Sequence, residues 1–259
     1  CEIALKTGRA IGRWAANNGY TAVVIGKDTR ISGDMLEAAI SAGLTSVGIN
    51  AVQAGIIPTP GIAFLCKDIP NAGAGIVISA SHNPYQDNGI KIFDHAGCKL
   101  SDETEAQLEK NILEDKDITG ERIGTIKCLT DGIGRYAEFL LSKFSFGEYN
   151  KQLKIIIDCA NGAASEICPI IFENRLFDIQ ITSNKPDGIN INQDCGSQYT
   201  ETLSKKVLDN NADLGLAFDG DADRLIAIDE TGFELTGDKL LGIYAQYTKM
   251  RDKLKNNVV

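Results

Sequence analysis

No stretch of the 259 residues approaches the roughly 18 consecutive apolar residues that a bilayer-spanning helix needs, so no membrane partner is expected. No Cys-x-x-Cys pair occurs. The seven cysteines, Cys1, Cys66, Cys98, Cys128, Cys159, Cys168 and Cys195, are odd in number and widely spaced. That pattern argues against a disulfide framework or a zinc site and for reduced thiols in a cytoplasmic protein. Positive charge is in deficit, with 26 Lys and Arg against 35 Asp and Glu and a net charge of −9. A nucleic-acid partner demands clustered cations, so none is expected. The same balance repels a phosphorylated ligand, so any phosphate site must be a local concentration of donors. No low-complexity segment and no repeat with a tight signature is visible. No signal peptide is visible either, but the chain opens on Cys1 inside a helix-like segment. The natural N-terminus is therefore expected to be missing, which leaves targeting open at that end.

What is present is a hydrophobic content of 43% and a charged content of 24%, those of a globular protein. Strand-like and helix-like segments alternate. Residues 3–17 have apolar side chains at helical spacing and stop at Asn18-Gly19; 21–25 is a β-branched run; 34–47 is again helical; 49–54 is strand-like. Pro58-Thr59-Pro60-Gly61 reads as a turn, 74–79 as a buried strand, and helices are expected from Ser101 and over 132–144. A second round follows: strands at 153–159, 177–182, 213–218 and 225–229, and helices at 162–174, 201–210 and 238–249. Alternation of this kind predicts two successive α/β domains with mixed, mostly parallel sheets flanked by helices. The polar stretch from Glu114 to Lys127 and the break at Gly147-Glu148-Tyr149-Asn150 place a first domain at 1–150 and a second at 151–252.

Three loops carry chemistry. In the first, the apolar run into Ile78 ends abruptly in Ser79-Ala80-Ser81-His82-Asn83-Pro84, with Lys91 shortly after. A strand end of this kind sets side chains at the mouth of an α/β sheet, where ligands bind. A serine there suits a nucleophile, with His82 and Lys91 at hand for proton transfer or charge stabilisation; a serine-capped Asn-Pro turn is the plain alternative. In the second, Asp219-Gly220-Asp221-Ala222-Asp223-Arg224 follows the strand-like run Leu214–Phe218. Carboxylates at i, i+2 and i+4 repel one another unless a cation joins them, and hard oxygen donors suit Mg2+ or Ca2+. Asp219, Asp221, Asp223 and Glu230 also sit at EF-hand positions 1, 3, 5 and 12, but Arg224 stands where that turn wants Gly and the flanks read as strands. A phosphatase with Asp219 as covalent nucleophile is a rival reading, and a solvated acidic loop the plain one. The third loop, Gly26-Lys27-Asp28-Thr29-Arg30-Ile31-Ser32-Gly33, is a strand-to-helix turn whose N–H groups, Lys27 and Arg30 would attract an anion. It lacks the Walker A order.

Taken together, the three loops resemble the phosphohexomutase family across essentially the whole chain. Gly75–Ser81, Asp158–Ala163, Pro186–Asn192 and Cys195-Gly196-Ser197 bring it nearest to the family's glucosamine-phosphate branch, with the phosphoglucose and phosphomannose branches as the alternative. The resemblance implies an isomerase that carries a phosphoryl group on Ser81 and turns over a phosphosugar through a hexosamine 1,6-bisphosphate. It implies that Asp219, Asp221, Asp223 and a Ser81 phosphate oxygen hold one Mg2+, and that His82, Lys91 and Arg224 line the transfer site. Lys27, Arg30, Ser32 and Asn83 would form the phosphate environment. It also favours a homodimer. The family's architecture has four domains, and these would be the first two. An early Gly-Thr-Asp-Gly-Ile-Arg-Gly-like loop and the later sugar and phosphate loops are absent, and 253–259 reads as the start of a third domain. The segment alone is therefore expected to be inactive. Ala222 stands where the family commonly has glycine.

Overall fold

The computed structural model describes residues 1–114, 122–143, 152–172, 177–254, 256 and 258. The chain forms α1 (Glu2–Asn17), β1 (Ala22–Lys27), α2 (Gly33–Ser46), β2 (Asn50–Ile56), α3 (Thr59–Asp68), β3 (Ala72–Ile78), β4 (Ile90–Asp94), α4 (Asp102–Glu114), β5 (Ile126–Cys128) and α5 (Gly132–Lys143). It continues with β6 (Leu153–Asp158), α6 (Ala164–Phe172), β7 (Phe177–Thr182), α7 (Glu201–Asp209), β8 (Leu214–Phe218), β9 (Leu225–Asp229), β10 (Glu234–Leu235) and α8 (Gly237–Met250). Two five-stranded sheets result, ordered β4-β3-β1-β2-β5 and β10-β9-β8-β6-β7. Strands β1, β2, β3 and β5 run parallel, as do β6, β7 and β8; β4, β9 and β10 pair antiparallel. This is the mixed, mostly parallel α/β organisation that the alternating pattern predicts.

The period-2 alternation of a strand explains the layers. In β1, Val23 and Ile25 face a core shared with Ile11 of α1 and Ile40 and Leu44 of α2, while Val24 faces one shared with Ile62 and Leu65 of α3. Helices α1 and α2 cross in backbone contact: a Cβ at Gly8 would lie 2.3 Å from the Ile40 carbonyl oxygen, and one at Gly43 2.2 Å from that of Leu5. In β6, Ile156 packs on Leu203 and Val207 of α7, and Ile155 and Ile157 pack with Ala164 and Cys168 of α6. The seam between the two halves is apolar as well, since Ile167 and Ile171 of α6 join the core under α3 and α5. Fully buried branched side chains such as Ile25, Ile40 and Ile157 each contribute about 1.5–3 kcal/mol.

Four elements differ from the sequence reading. The segment at 58–61 is the start of α3, because Pro60 falls in its first turn, where a missing N–H costs nothing. Strand β4 has no signature in the sequence, because its residues are all half-buried and no alternation marks it. Strands β5 and β10 are three and two residues long, too short for a periodic signal. The break at 147–150 and the ends of the helices expected to reach 144 and 174 lie outside the described residues. All seven cysteines are free. Among the described residues, no helix is long and apolar enough to cross a membrane.

The order β9-β8-β6-β7 repeats β4-β3-β1-β2. In each half the third strand turns back antiparallel through a loop, 79–89 in the first and 219–224 in the second. These are the loops that the sequence marks for chemistry.

Candidate active site at the seam of the two sheets

The loops that carry most of the candidate groups leave the carboxyl ends of parallel strands, Asp28 after β1, Thr59 beyond β2, Ser79 after β3 and Asp219 after β8, while Lys91 comes from the start of the antiparallel β4. Such carboxyl ends are where an open α/β sheet exposes unpaired backbone and accommodates ligands. The serine loop is closed by Ser79 N–H donating to Gly89 O at 3.0 Å and carries a turn in which Asn83 N–H donates to Ala80 O at 3.1 Å. Ser81 sits in left-handed backbone (φ 53°), rare for a side-chain-bearing residue. The Ser79 hydroxyl accepts the Ser81 N–H at 2.9 Å, which makes Ser79 a brace for its neighbour. The Ser81 hydroxyl donates to Asp219 Oδ2 at 2.6 Å, so the serine of one half meets the carboxylates of the other.

Asp219 and Asp221 are 0% and 1% exposed. Oxygens of Asp219, Asp221 and Asp223 all lie within 4.8 Å of one another. Asp219 Oδ1 accepts Arg224 N–H at 3.1 Å. Asp221 Oδ2 accepts the Thr59 hydroxyl and Lys91 Nζ, the latter at 2.6 Å, and Asp223 Oδ2 accepts Lys91 Nζ at 2.9 Å. Asp221 Oδ1 is buried with no partner. A buried carboxylate oxygen left without a donor, among three oxygen ligands carrying more negative charge than Lys91 offsets, fits a divalent cation. Burial, reinforced by Asp221 and Asp223, pushes the Asp219 carboxyl up to about 6, although the Ser81 hydroxyl and the Arg224 N–H pull it down. Burial would lower the Lys91 ammonium, but its bonds to Asp221 and Asp223 outweigh that and hold it above its ordinary value. Lys91 is therefore a fixed positive charge in this arrangement.

Arg224 Nη1 lies 3.0 Å from His82 Nδ1. A guanidinium only donates, so this contact makes Nδ1 the acceptor and leaves the ring proton on Nε2. Arg30, 4% exposed, pairs with Asp28 and donates through Nη2 to Asn83 O at 2.6 Å and Ser81 O at 3.3 Å. The other expected members of the phosphate environment make different contacts. Lys27 pairs with Asp34 at 2.7 Å and with Glu37; the Ser32 hydroxyl donates to Asn88 Oδ1 at 2.5 Å; Asn83 Nδ2 donates to Asp87 Oδ2 at 3.0 Å. Glu230 is exposed at the far end of β9 from Asp223. Five strand residues span about 17 Å, so Glu230 cannot join an EF-hand-like set.

Thr59 and Asn192 escaped the sequence reading. Thr59 anchors Asp221 through its hydroxyl, and its N–H donates to Asp221 O at 3.0 Å. Its position just past the carboxyl end of β2 was the available signal. Asn192 Nδ2 donates to Ser81 O at 2.9 Å and Asn83 O at 3.0 Å. A cleft of about 320 Å³ opens beside it, lined by His82, Pro84 and Tyr85 from the serine loop and by Ile189, Asn192 and Tyr199.

Comparison with known proteins shows the family of the chain. The family description "Phosphoglucomutase/phosphomannomutase, alpha/beta/alpha domain I" matches residues 1–119, and its domain II counterpart matches 134–232. The chain belongs to the phosphoglucomutase/phosphomannomutase family. Curated relatives include the phosphoglucosamine mutase of Desulforapulum autotrophicum, 50% identical over 275 residues, covering 100% of this chain and 59% of that protein. That of Syntrophobacter fumaroxidans is 50% identical over 243 residues, covering 92% and 54%. The chain thus spans somewhat over half the length of these relatives. Among solved structures, a phosphoglucomutase/phosphomannomutase family protein from Burkholderia thailandensis superposes with a TM-score of 0.85 at 27% identity, covering 96% of this chain and 55% of that one.

Proposed function

We propose that the whole protein interconverts glucosamine 6-phosphate and glucosamine 1-phosphate, with Ser81 as the phosphoryl carrier and a hexosamine 1,6-bisphosphate as intermediate. The observation that carries this reading is the Ser81 hydroxyl on Asp219 Oδ2 at 2.6 Å, which joins a strand-end serine to a carboxylate cluster across two sheets. A sugar hydroxyl oxygen attacks the phosphorus of phosphorylated Ser81. The bond from phosphorus to Ser81 Oγ breaks with its electron pair on Oγ, the proton of the attacking hydroxyl passes to a base, and Oγ takes up a proton to restore the serine hydroxyl. The bisphosphate then returns its other phosphoryl group to Ser81 by the reverse steps. Such transfer needs positioning and charge stabilisation more than covalent help. Lys91 and Arg224 supply fixed positive charge beside Ser81. Neither candidate base is free as it stands: Lys91 is held charged by two carboxylates, and His82 Nδ1 accepts Arg224, so His82 takes the proton only once Arg224 turns from Nδ1 to the phosphoryl group. Asp219, Asp221 and Asp223, with an oxygen of the Ser81 phosphate, would hold one Mg2+. When bound, the ion offsets a phosphoserine charge of about −2 and makes phosphorus more electrophilic.

The Asp219-nucleophile phosphatase fits less well, because both Asp219 oxygens are engaged, one by Ser81 and one by the Arg224 N–H. The choice of glucosamine rests on relatives 45–50% identical that bear the name phosphoglucosamine mutase. We further propose a cytoplasmic homodimer divided into units at 1–150 and 151–252. The test is a substrate comparison with the whole protein. Its kcat/KM should be at least tenfold higher for glucosamine phosphates than for glucose or mannose phosphates. The reverse order would move the assignment to a phosphoglucose or phosphomannose mutase.

A further inference from the structure

Ser81 is held in an unfavourable backbone conformation, and the groups that hold it come from both sheets. Its carbonyl and that of Asn83 flank His82 and turn toward one spot. Arg30 Nη2 reaches both carbonyls from the first half, at 3.3 and 2.6 Å. Asn192 Nδ2 reaches the same two from the second half, at 2.9 and 3.0 Å. Asn192 is 7% exposed, itself left-handed (φ 59°), and fixed by its own N–H donating to Ala160 O at 2.9 Å. Gly220 of the carboxylate loop closes the spot. A Cβ there would lie 2.6 Å from Ser81 O and 2.9 Å from Asn192 Nδ2. The metal-binding loop, the serine loop and the Asn192 amide therefore share one packed contact.

We propose that Asn192 is a positioning residue for phosphoryl transfer, its amide fixing the Ser81–Asn83 backbone so that Ser81 Oγ stays aligned on the carboxylate cluster. The inference rests on the reading of Ser81 as the phosphoryl carrier. Asn192 does not bond the Ser81 hydroxyl; it acts through the two carbonyls. Loss of its donor should therefore lower kcat and leave KM for the sugar phosphate nearly unchanged. A misplacement of about 1 Å in such a reaction costs on the order of a hundredfold in rate.

Two variants of the whole protein separate the donor from the backbone. Asn192→Asp keeps the shape and the tolerance for left-handed backbone, but sets an acceptor against two carbonyls. Asn192→Gly keeps that tolerance and removes the side chain. Both should lower kcat for glucosamine 6-phosphate by about 10–100-fold, with KM within about twofold of wild type. Hydrogen exchange at amides 79–88 should quicken by about tenfold in the same samples, because the loop loses a tether. The thermal midpoint reports whether either variant remains folded, and the folded one is read. Unchanged exchange in the loop, or a kcat within twofold of wild type in a folded Asn192→Asp protein, overturns the inference. A wild-type protein with no phosphate on Ser81 and no turnover would sink the reading of the reaction instead, and loop exchange would still decide whether Asn192 tethers the loop.

Discussion

The two halves of the molecule share a strand order, and in both the loop between the third and fourth strands carries candidate site residues. Each loop holds one left-handed residue that is not glycine, Ser81 (φ 53°) in the first and Ala222 (φ 54°) in the second. Even the turns after the first strands correspond: Asp28 Oδ1 accepts Arg30 N–H at 3.0 Å, and Asp158 Oδ1 accepts Ala160 N–H at 2.9 Å. Yet the loops differ in content. The first offers a hydroxyl, an imidazole and backbone carbonyls; the second offers carboxylates. On the function proposed above, one topology would present the phosphoryl carrier from one sheet and a cation site from the other. The strand leading into Ser79 is buried along its whole length, whereas β8 is buried only at alternate residues.

The largest effects should come from removing what only the second loop supplies. By calorimetry, Asp221→Asn should abolish detectable Mg2+ binding. Thr59→Val, which removes the hydroxyl that orients Asp221, should weaken it by about tenfold. Glu230→Gln should bind as wild type, and a requirement for Glu230 would restore the EF-hand reading.

A second contrast concerns what the carboxylate cluster costs the fold. With its pKa raised to about 6, Asp219 in the native metal-free protein holds a proton that the unfolded chain has released between the ordinary carboxylate value and about 6. Native protein then binds more protons than unfolded, so this group makes stability fall as pH rises through that window. Thermal melts in a chelator should show the wild-type midpoint rising from pH 7 to pH 5, relative to Asp219→Asn. The Asn variant should be the more stable at pH 7 while losing Mg2+. A flat difference between the two across this range would contradict the assignment.

The smallest effect tests the shared strain. Ala222→Gly relieves a left-handed alanine, worth about 1–2 kcal/mol, against greater freedom in the unfolded chain of about 0.4–1 kcal/mol. The net change should be a stabilisation below about 1 kcal/mol, read by denaturant unfolding with Mg2+ affinity unaltered. A clear destabilisation would show that the Ala222 methyl matters more to its apolar neighbours than the backbone strain does.

Much of this was legible in the sequence because the loops interrupt strong apolar runs. Ile76-Val77-Ile78 and Leu216-Ala217-Phe218 stop at hydroxyl and carboxylate, and a strand that ends so abruptly marks a sheet's mouth. The spacing of Asp219, Asp221 and Asp223 pointed to a cation without any structure. What stayed hidden depends on contacts far apart in the chain. Asn192 lies 111 residues from Ser81 and Thr59 lies 162 from Asp221, and neither has a local pattern that distinguishes it from a turn residue. The sequence also showed no repeat, because the common strand order is built from unrelated side chains. Lys27 illustrates the converse: a lysine after β1 suits an anion site by type, but two carboxylates of α2 take it first.

Ser81 is proposed to carry the phosphoryl group with the second loop's carboxylates beside it. Intact mass and phosphopeptide mapping of the purified whole protein test this proposal most directly. Phosphate is expected on Ser81, to disappear in Ser81→Ala together with mutase turnover, and to persist in Ser79→Ala with turnover only mildly reduced. A phosphate mapped to Ser79 or to Asp219, or equal loss of turnover in both serine variants, would contradict it.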